Sequence, residues 1–279
     1  MSFPGQGRDQ GTGHGGGELA ALLDLLSDPD PEIGATLAAR LESDTDLLDR
    51  TWQVAAERGA PPEILTAIVL RADAEALVDA FAAAEDLESG CWLLARVQRP
   101  RIDHRAAGAP QLDALAAHVA ARIAAGAPAD GRTVAAFLCN ECGFAGDREA
   151  YDDPANSFLS EVLARRLGLP IALTVLWQLL GRRLGVVCEA LALPGHVLGR
   201  WVAADGSTGY VDLFAGGGAV TRADLEALVR QAGGLGVEPY LAAASDRALL
   251  KRMARNLALA YLRHGDQLRA TIAHALATV

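Results

Sequence analysis

One histidine stands where it could accept a proton from a substrate or a nucleophile. The segment LALPGHVLGRW, Leu191 to Trp201, places His196 directly after a Pro-Gly turn and at the start of an alternating apolar run. Imidazole changes its charge near neutral pH, which suits a catalytic base, but a histidine at the mouth of a strand is also an ordinary polar residue. Asp212 lies near the end of the next predicted strand, where a carboxylate could orient the imidazole. His196 and Asp212 are therefore the candidate catalytic residues.

The distance between these two residues depends on the hairpin loop that separates them. A tight turn at Asp205 and Gly206 would place Asp212 opposite Gly199. Asp212 would then lie three residues from His196, or about 10 Å along a strand that rises about 3.3 Å per residue. A longer loop or a bulge is needed to bring the carboxylate to the imidazole.

A catalytic histidine needs a nucleophile, and the chain offers few. Cys188 lies on the strand before the His196 hairpin and could approach the imidazole across the turn, but free cysteine is also among the most buried residue types. Ser157 lies near a predicted helix start, where a hydroxyl commonly caps the helix, and no Gly-x-Ser-x-Gly motif surrounds it. Cys139 and Cys142 have the spacing of two metal ligands, but no second ligand pair is present. We expect no metal and no cofactor.

The segments around these residues predict mainly helices. From Glu18 to about Arg96 the apolar residues recur at intervals of three and four, which indicates four or five short helices, and QLDALAAHVAARIAA indicates one more. In DDPANSFLSEVLARRLG, Asp153 is a helix cap with Pro154 at the first helical position, so this segment predicts a helix that ends at Gly168.

A second helix follows directly, and strands follow it. The segment IALTVLWQLLGRRLG is apolar nearly all round, which predicts a helix buried in the middle of its domain. VVCEALAL, HVLGRWVA and GYVDLF are short and rich in valine, leucine and aromatic residues, and they predict an antiparallel sheet. The C-terminal segment, 251–279, has the spacing of two helices with a turn at 264–266. The fold class is α+β.

Composition limits the partners that the protein can have. Of the 279 residues, 51% are hydrophobic and 22% are charged, as in a globular protein, and the net charge is −10. A nucleic acid would be repelled overall, and the short basic run 96–105 is better explained as a solvated face. No run is long and apolar enough for a membrane span, and the N-terminus lacks the pattern of a secretory signal. We therefore expect a cytoplasmic protein with no nucleic-acid or membrane partner.

Several motifs, taken in order, resemble one known family. They are ECGFAGD at 141–147, YDDPANSFLSEVLARRLGLPIALTVLW at 151–177, LPGHVLGR at 193–200, YVDLFAGG at 210–217 and LLKRMARNLALAYLRHGD at 249–266. The chain thus resembles the SirB-type transglutaminase-like proteins of the papain-like superfamily, whose domain also occurs linked to F-box modules. The resemblance implies a buried helix packed on an antiparallel sheet, with His196 and Asp212 in the positions of the catalytic histidine and aspartate.

The resemblance also shows what this chain lacks. In the wider superfamily a cysteine nucleophile stands at the N-terminus of the buried helix, where the helix dipole favours a thiolate. Here that helix begins Pro170, Ile171, Ala172 and Leu173, none of which can attack a carbonyl. Thr174 lies about a turn further in, and an unactivated hydroxyl buried in a helix is a poor nucleophile.

Two functional classes remain open. The favoured one is a non-catalytic module that binds a protein or peptide in the papain-like cleft; the other is a cysteine-type hydrolase or acyl transferase with Cys188 as a displaced nucleophile. Glu141 and Asn156 match polar positions of the family motifs and, with Ser157, are expected either to line the cleft or to form structural hydrogen bonds.

The predicted domains are a glycine-rich disordered tail (1–17), a helical region (18–128), a transglutaminase-like domain (129–240) and a C-terminal helix pair that resembles the start of tetratricopeptide-like repeats (241–279).

Overall fold

A computed structural model describes residues 14–28 and 30–279, and within them the chain divides into two units. The first unit ends at Glu75, and the second spans Ala76–Val279. The first consists of helices α1 (His14–Leu26), α2 (Pro31–Ser43), α3 (Thr45–Glu57) and α4 (Glu63–Ala72). The predicted tail, residues 1–17, lies outside the described residues as far as residue 13, and α1 begins at His14.

The first unit has a hydrophobic core of its own. Asp30 and Asp44 cap α2 and α3 by accepting hydrogen bonds from backbone N–H groups in their first turns. The core residues all lie before Glu75 in the chain; they include Leu23, Leu41, Leu48, Trp52, Leu65 and Val69. The four helices bury one apolar face each, as the spacing of their apolar residues indicates.

Three further helices follow in the chain. They are α5 (Ala74–Ala82), α6 (Leu87–Ala95) and α7 (His104–Ala124), so the region up to Arg96 contains six helices among the described residues, where four or five were predicted. The predicted QLDALAAHVAARIAA helix is confirmed as the second part of α7. Helices α6 and α7 lie in the second unit, and the domain boundary at residues 128 and 129 stays a prediction.

The remaining elements form the centre of the second unit. They are α8 (Gly131–Ala136), a π turn (Phe137–Glu141), β1 (Ala145–Gly146), a 3-10 turn (Pro154–Ser157), α9 (Leu159–Arg165), β2 (Leu167–Gly168), α10 (Pro170–Leu184), β3 (Val187–Leu193), β4 (His196–Val202), β5 (Thr208–Asp212), β6 (Gly218–Val220), α11 (Arg222–Gln231), a 3-10 turn (Glu238–Tyr240), α12 (Asp246–Arg263) and α13 (Gln267–Thr278). The α+β class, the antiparallel sheet β3-β4-β5-β6 and the C-terminal helices are confirmed. The helix predicted from Asp153 to Gly168 is wrong at both ends: Pro154–Ser157 form a separate 3-10 turn, and α9 ends at Arg165, before β2.

Helix α10 is the centre of this unit. Its residues from Pro170 to Gly181 are all buried, because α7 and α8 cover one side of it and β3 and β4 cover another. The indole N–H of Trp177 donates a 2.8 Å hydrogen bond to the Gly131 carbonyl, and the side-chain oxygen of Gln178 accepts one of 3.0 Å from the Ala190 N–H. Both buried polar groups are therefore paired, and they fix α10 against α8 and β3.

The C-terminal end of α10 is tied to its neighbours by ion pairs. Arg183 binds Glu88 of α6 at 2.8 Å and Asp113 of α7 at 2.7 Å. Arg182 binds Asp246 at the start of α12. Cations are favourable at the negative end of a helix dipole, so both arginines stabilise α10 in addition to joining it to three other helices.

Among the described residues, no helix combines the length and the apolar character that a bilayer crossing requires.

Candidate functional site

His196 and Asp212 are hydrogen-bonded to each other. The imidazole Nε2 lies 2.9 Å from Oδ2 of Asp212, and both side chains are 17% exposed. The ring edge of Phe214 packs against the imidazole at 6.2 Å between ring centroids. The other carboxylate oxygen of Asp212 accepts a 3.0 Å hydrogen bond from the Ala215 N–H. The Ala215 N–H thus fixes the Asp212 carboxylate, and the carboxylate in turn orients the imidazole of His196.

The register of the hairpin explains how the pair forms. The loop between β4 and β5 closes with a 2.8 Å hydrogen bond from the Ala203 N–H to the Ser207 carbonyl, so it is longer than the tight turn considered above. Val211, not Asp212, consequently lies opposite Gly199. Asp212 then lies about two residues, not three, from His196 along the strand direction, and side chains of this length bridge such a diagonal.

The hydrogen bond also determines which ring nitrogen can act. A carboxylate only accepts, so Nε2 carries the hydrogen and Nδ1 keeps the lone pair in the neutral ring. Burial favours a raised pKa for Asp212, but the hydrogen bond and positive charge of His196 and the N–H groups of Ala215 and Phe214 outweigh it and hold the pKa below its ordinary value of 3.8. Asp212 is thus ionised at neutral pH, and its charge strengthens the hydrogen bond that it accepts from His196.

His196 lines a cleft of about 300 Å³. The walls are the segment before the 3-10 turn, the start of α10, the turn between β3 and β4, and one face of α12. The lining residues are Tyr151, Asp152, Asp153, Leu169, Pro170, Ile171, Gly195, His196, Val197, Arg252, Asn256, Leu259, Ala260 and Arg263. The cleft combines apolar walls with convergent polar groups, as small-molecule and peptide sites do.

The cleft has no nucleophile at the start of α10. Pro170 and Ile171 line it there, and neither side chain can attack a carbonyl. Thr174 is fully buried, and its hydroxyl donates a 2.8 Å hydrogen bond to the Pro170 carbonyl. The hydroxyl is thus used within the helix and does not reach the cleft.

Cys188 does not approach His196, which corrects the expectation that it could do so across the turn. In the β3–β4 ladder Leu193 lies opposite His196, whereas Cys188 lies opposite Trp201 at the other end of the strand. The five intervening steps separate Cys188 from the histidine by about 17 Å. Cys188 is 7% exposed, and burial raises the pKa of its thiol, so it is a packed apolar residue between α10 and the sheet.

Cys139 lies in the π turn after α8, and Cys142 directly follows that turn. Cys139 packs beside Gly217 and lies 3.9 Å from the Leu213 carbonyl. Burial, with a contribution from the charge of Asp212, raises the pKa of Cys139 to about 11. Among the described residues, no three histidine, cysteine or carboxylate side chains are grouped to hold a metal ion.

Glu141, Asn156 and Ser157, which were expected either to line the cleft or to form structural hydrogen bonds, are not among the residues that line it. Glu141 is exposed and forms an ion pair with Arg122 on α7. Asn156 and Ser157 are fully buried in the 3-10 turn, behind the wall rather than on it. The side-chain amide of Asn156 donates a 2.7 Å hydrogen bond to the Ala150 carbonyl, and the backbone carbonyl of Asn156 accepts one from the Leu169 N–H. It therefore fixes the segment that leads into α10.

Sequence reasoning missed the wall that α12 contributes. Arg252, Asn256, Leu259 and Arg263 recur at intervals of three and four, so they occupy one stripe of the helix, and this stripe faces the cleft. A stripe with two arginines and an asparagine resembles a solvated helix face. The spacing of these residues could have predicted a cleft wall only if the packing of α12 beside α10 had already been known.

The fold and the site together define a class of protein. A buried helix packs on an antiparallel sheet, and a histidine held by a carboxylate on the next strand lines the same cleft as the start of that helix, which is the arrangement expected of a transglutaminase-like α+β domain. The profile of the transglutaminase-like superfamily matches residues 107–255, and the chain belongs to this superfamily. No solved structure matches the chain.

Curated relatives match part of the chain. A UPF0162 protein of Xylella fastidiosa is 36% identical over 131 residues, which are 45% of this chain and 46% of that protein. Human F-box only protein 21 is 35% identical over 101 residues, 34% of this chain and 16% of that protein. A UPF0162 protein of Vibrio cholerae is 45% identical over 58 residues, 21% of this chain and 22% of that protein. The chain thus spans less than half the length of these relatives.

Proposed function

We propose that the protein is a non-catalytic module that binds a peptide segment of a partner protein in the cleft beside His196. One observation carries the proposal. The cleft retains the histidine and its carboxylate at 2.9 Å, but the start of α10 presents Pro170 and Ile171 where a cysteine enzyme needs its thiol. Without a nucleophile the cleft has binding groups and no group to form an acyl intermediate.

The size and lining of the cleft support a peptide as the ligand. A volume of about 300 Å³ is at the small end of ligand sites and accommodates one or two side chains rather than a large cofactor. Exposed Leu259 and the buried Ile171 offer apolar contact, and Asn256 offers an amide that can pair with peptide backbone groups.

The relatives are consistent with a binding role within a larger assembly. The matching region occupies 16% of human F-box only protein 21, so there it is one part of a longer chain. We propose, on the motifs and on this likeness, that the protein is of the SirB type. We also propose that it acts in the cytoplasm.

Selection from a displayed library of random peptides tests the proposal. Leu259→Trp would fill the cleft, and Leu262→Trp on the same helix is the matched control, since the two leucines are 54% and 48% exposed and only Leu259 lines the cleft. We expect peptides that bind the wild type and the Leu262→Trp variant but not the Leu259→Trp variant. Binding that is the same to all three proteins, or no enrichment at all, contradicts the proposal.

A cysteine-type hydrolase or acyl transferase with a displaced nucleophile is the second candidate. The observation that favours it is the hydrogen bond between His196 and Asp212, which holds the imidazole as a catalytic triad does. The position of Cys188 at the far end of β3 counts against it. Labelling of the thiols distinguishes the two candidates and is described in the Discussion.

A further inference from the structure

Arg252 on α12 brings a guanidinium group into the cleft. One of its terminal nitrogens donates a 2.8 Å hydrogen bond to the Leu193 carbonyl, and the other donates one of 3.0 Å to the His196 carbonyl. Arg252 therefore fixes the turn between β3 and β4, which His196 follows directly. A guanidinium has five N–H donors, so these two bonds leave others for a ligand.

The other charged groups of the cleft have partners of their own. Asp152 pairs with Arg263, and His196 pairs with Asp212, which lies outside the cleft lining. Asp153 accepts a hydrogen bond from the Ala155 N–H at 2.9 Å and lies 3.8 Å from Arg165. Among the described residues, no carboxylate forms an ion pair with Arg252.

The surroundings of Arg252 disfavour its charge. Burial and the neighbouring Arg255 both lower the pKa of the guanidinium, although arginine stays protonated in proteins. Arg252 is half-buried, so its charge is partly desolvated without a carboxylate beside it, and a bound anion would offset part of that cost. The protein as a whole carries a net charge of −10, so long-range attraction does not draw an anion here and the recognition must be local.

We propose that Arg252, which lies beside His196, forms a subsite that binds the carboxylate of a peptide in the cleft. The planar fork of the guanidinium matches the two oxygens of a carboxylate. This inference rests on the proposed peptide-binding function and specifies its ligand as either a C-terminal carboxylate or an acidic side chain.

Titration of the isotope-labelled protein with small probes, followed by nuclear magnetic resonance, tests the inference. N-acetylglycine represents a C-terminal carboxylate, the α-amide of N-acetylglutamate represents an acidic side chain, and N-acetylglycinamide is the uncharged control. We expect at least one carboxylate probe to shift the backbone signals of Gly195 and His196, with N-acetylglycinamide having no such effect. The probe with the stronger effect identifies the source of the carboxylate. Equal shifts with the amide, or none with either carboxylate, overturn the inference.

Two variants connect the shifts to the guanidinium. Arg252→Gln should weaken binding of the carboxylate probe by about tenfold or more, which is the loss of one charge-assisted pair. Arg255→Gln removes an exposed arginine of the same helix that does not line the cleft, so it should change the affinity far less than Arg252→Gln does. Unchanged binding in Arg252→Gln overturns the inference. If Arg252→Gln does not fold, the comparison of carboxylate and amide probes on the wild type still decides.

The inference and the proposed function can fail separately. Peptides whose binding is lost in Leu259→Trp, together with carboxylate probes that do not bind, would leave the binding module standing and remove the carboxylate subsite. Peptide binding that is unchanged in Leu259→Trp would contradict both the binding module and the carboxylate subsite.

Discussion

The histidine of the cleft has its carboxylate partner and lacks the thiol that a cysteine enzyme would place before it. In such enzymes the imidazole and a helix N-terminus stabilise the thiolate together. Here both are present, but the side chains at the start of α10 are Pro170, Ile171 and Ala172. The imidazole is therefore free to contact a ligand.

The reactivity of the cysteines tests this assignment at the level of single residues. We expect a thiol-directed electrophile to label the folded protein slowly at pH 7, with Cys142 first, because burial raises the pKa values of Cys91, Cys139 and Cys188 more than that of Cys142. A thiol of pKa about 11 is a thiolate in roughly one molecule in ten thousand at pH 7. Mass spectrometry after timed labelling gives the rate at each site.

The His196→Ala variant is the control for that experiment. In a binding module its labelling rates should equal those of the wild type. Labelling of Cys188 that is fast in the wild type and slow in His196→Ala would instead establish the displaced-nucleophile enzyme, since the imidazole would then be what stabilises the thiolate.

Asp212 should give the stability of the protein a defined pH dependence. Its pKa is depressed in the folded state, so it stabilises the fold above the unfolded-state pKa of about 3.9, and this contribution is lost as the pH falls through the folded-state pKa. Asp212→Asn should therefore lower the free energy of unfolding by about 1 to 2 kcal/mol at pH 6 and by less below about pH 4. Urea unfolding at several pH values measures the difference.

Asp79→Asn is the matched control for the charge change, because Asp79 is exposed on α5. It should change the free energy of unfolding little at any of these pH values. A difference between Asp212→Asn and the wild type that grows as the pH falls would contradict the role of the carboxylate.

Helix α10 should be the most protected element of the protein. Twelve consecutive residues of the helix are buried, so its amides become exposed to solvent only when the unit around it opens. We expect residues 173–180 to exchange their amide hydrogens with the slowest rates, and α11, which is partly exposed, to exchange faster. Hydrogen exchange followed by mass spectrometry resolves both helices, and rapid exchange across 175–180 would refute this architecture.

The contact between α10 and the sheet depends on a glycine. A methyl group at Gly199 would lie 2.7 Å from the Trp177 ring and 2.9 Å from a Val211 methyl carbon, so neither side of the contact has room for it. Gly199→Ala should therefore destabilise the protein by about 1 to 3 kcal/mol through overpacking.

Gly218→Ala on β6 is the control, since a methyl group there meets no atom within 4 Å. Its unfolding free energy should be that of the wild type or slightly above it, because alanine reduces the entropy of the unfolded chain. Thermal and urea unfolding compare the two variants, and equal losses would show that the effect comes from the backbone rather than from Trp177.

At the scale of the whole molecule, the two units have separate cores. The buried cluster of the first unit contains residues 23–69 only, and the cluster that joins the sheet to α11 contains residues 191–237 only. We therefore expect a chain that begins at Ala74 to fold without the first unit. Circular dichroism should show a cooperative thermal transition, and the peptides that distinguish Leu259→Trp from Leu262→Trp in the full chain should bind it with the same preference. A transition without cooperativity would show that the second unit needs the first.

The sequence by itself determined the secondary structure around the site, because the signals are local. An apolar run without a polar face predicted the buried helix α10, and alternating apolar residues predicted β3, β4 and β5. The Pro-Gly turn placed His196 at a strand start, and the residue types marked Asp212 as its partner. The sequence also showed that the start of α10 has no nucleophile, because the identity of the residues there is enough to decide this.

The tertiary structure determined which residues lie together at the cleft. The hairpin loop set a register one residue away from that of a tight turn, and this change brings Asp212 to His196. Packing of α12 beside α10 carries Arg252 to a turn that is 56 residues away in the chain. Packing also buries Asn156 and Ser157 and leaves Cys188 at the far strand end. Local periodicity contains no information about which distant elements pack together, so only the folded chain could assign these residues.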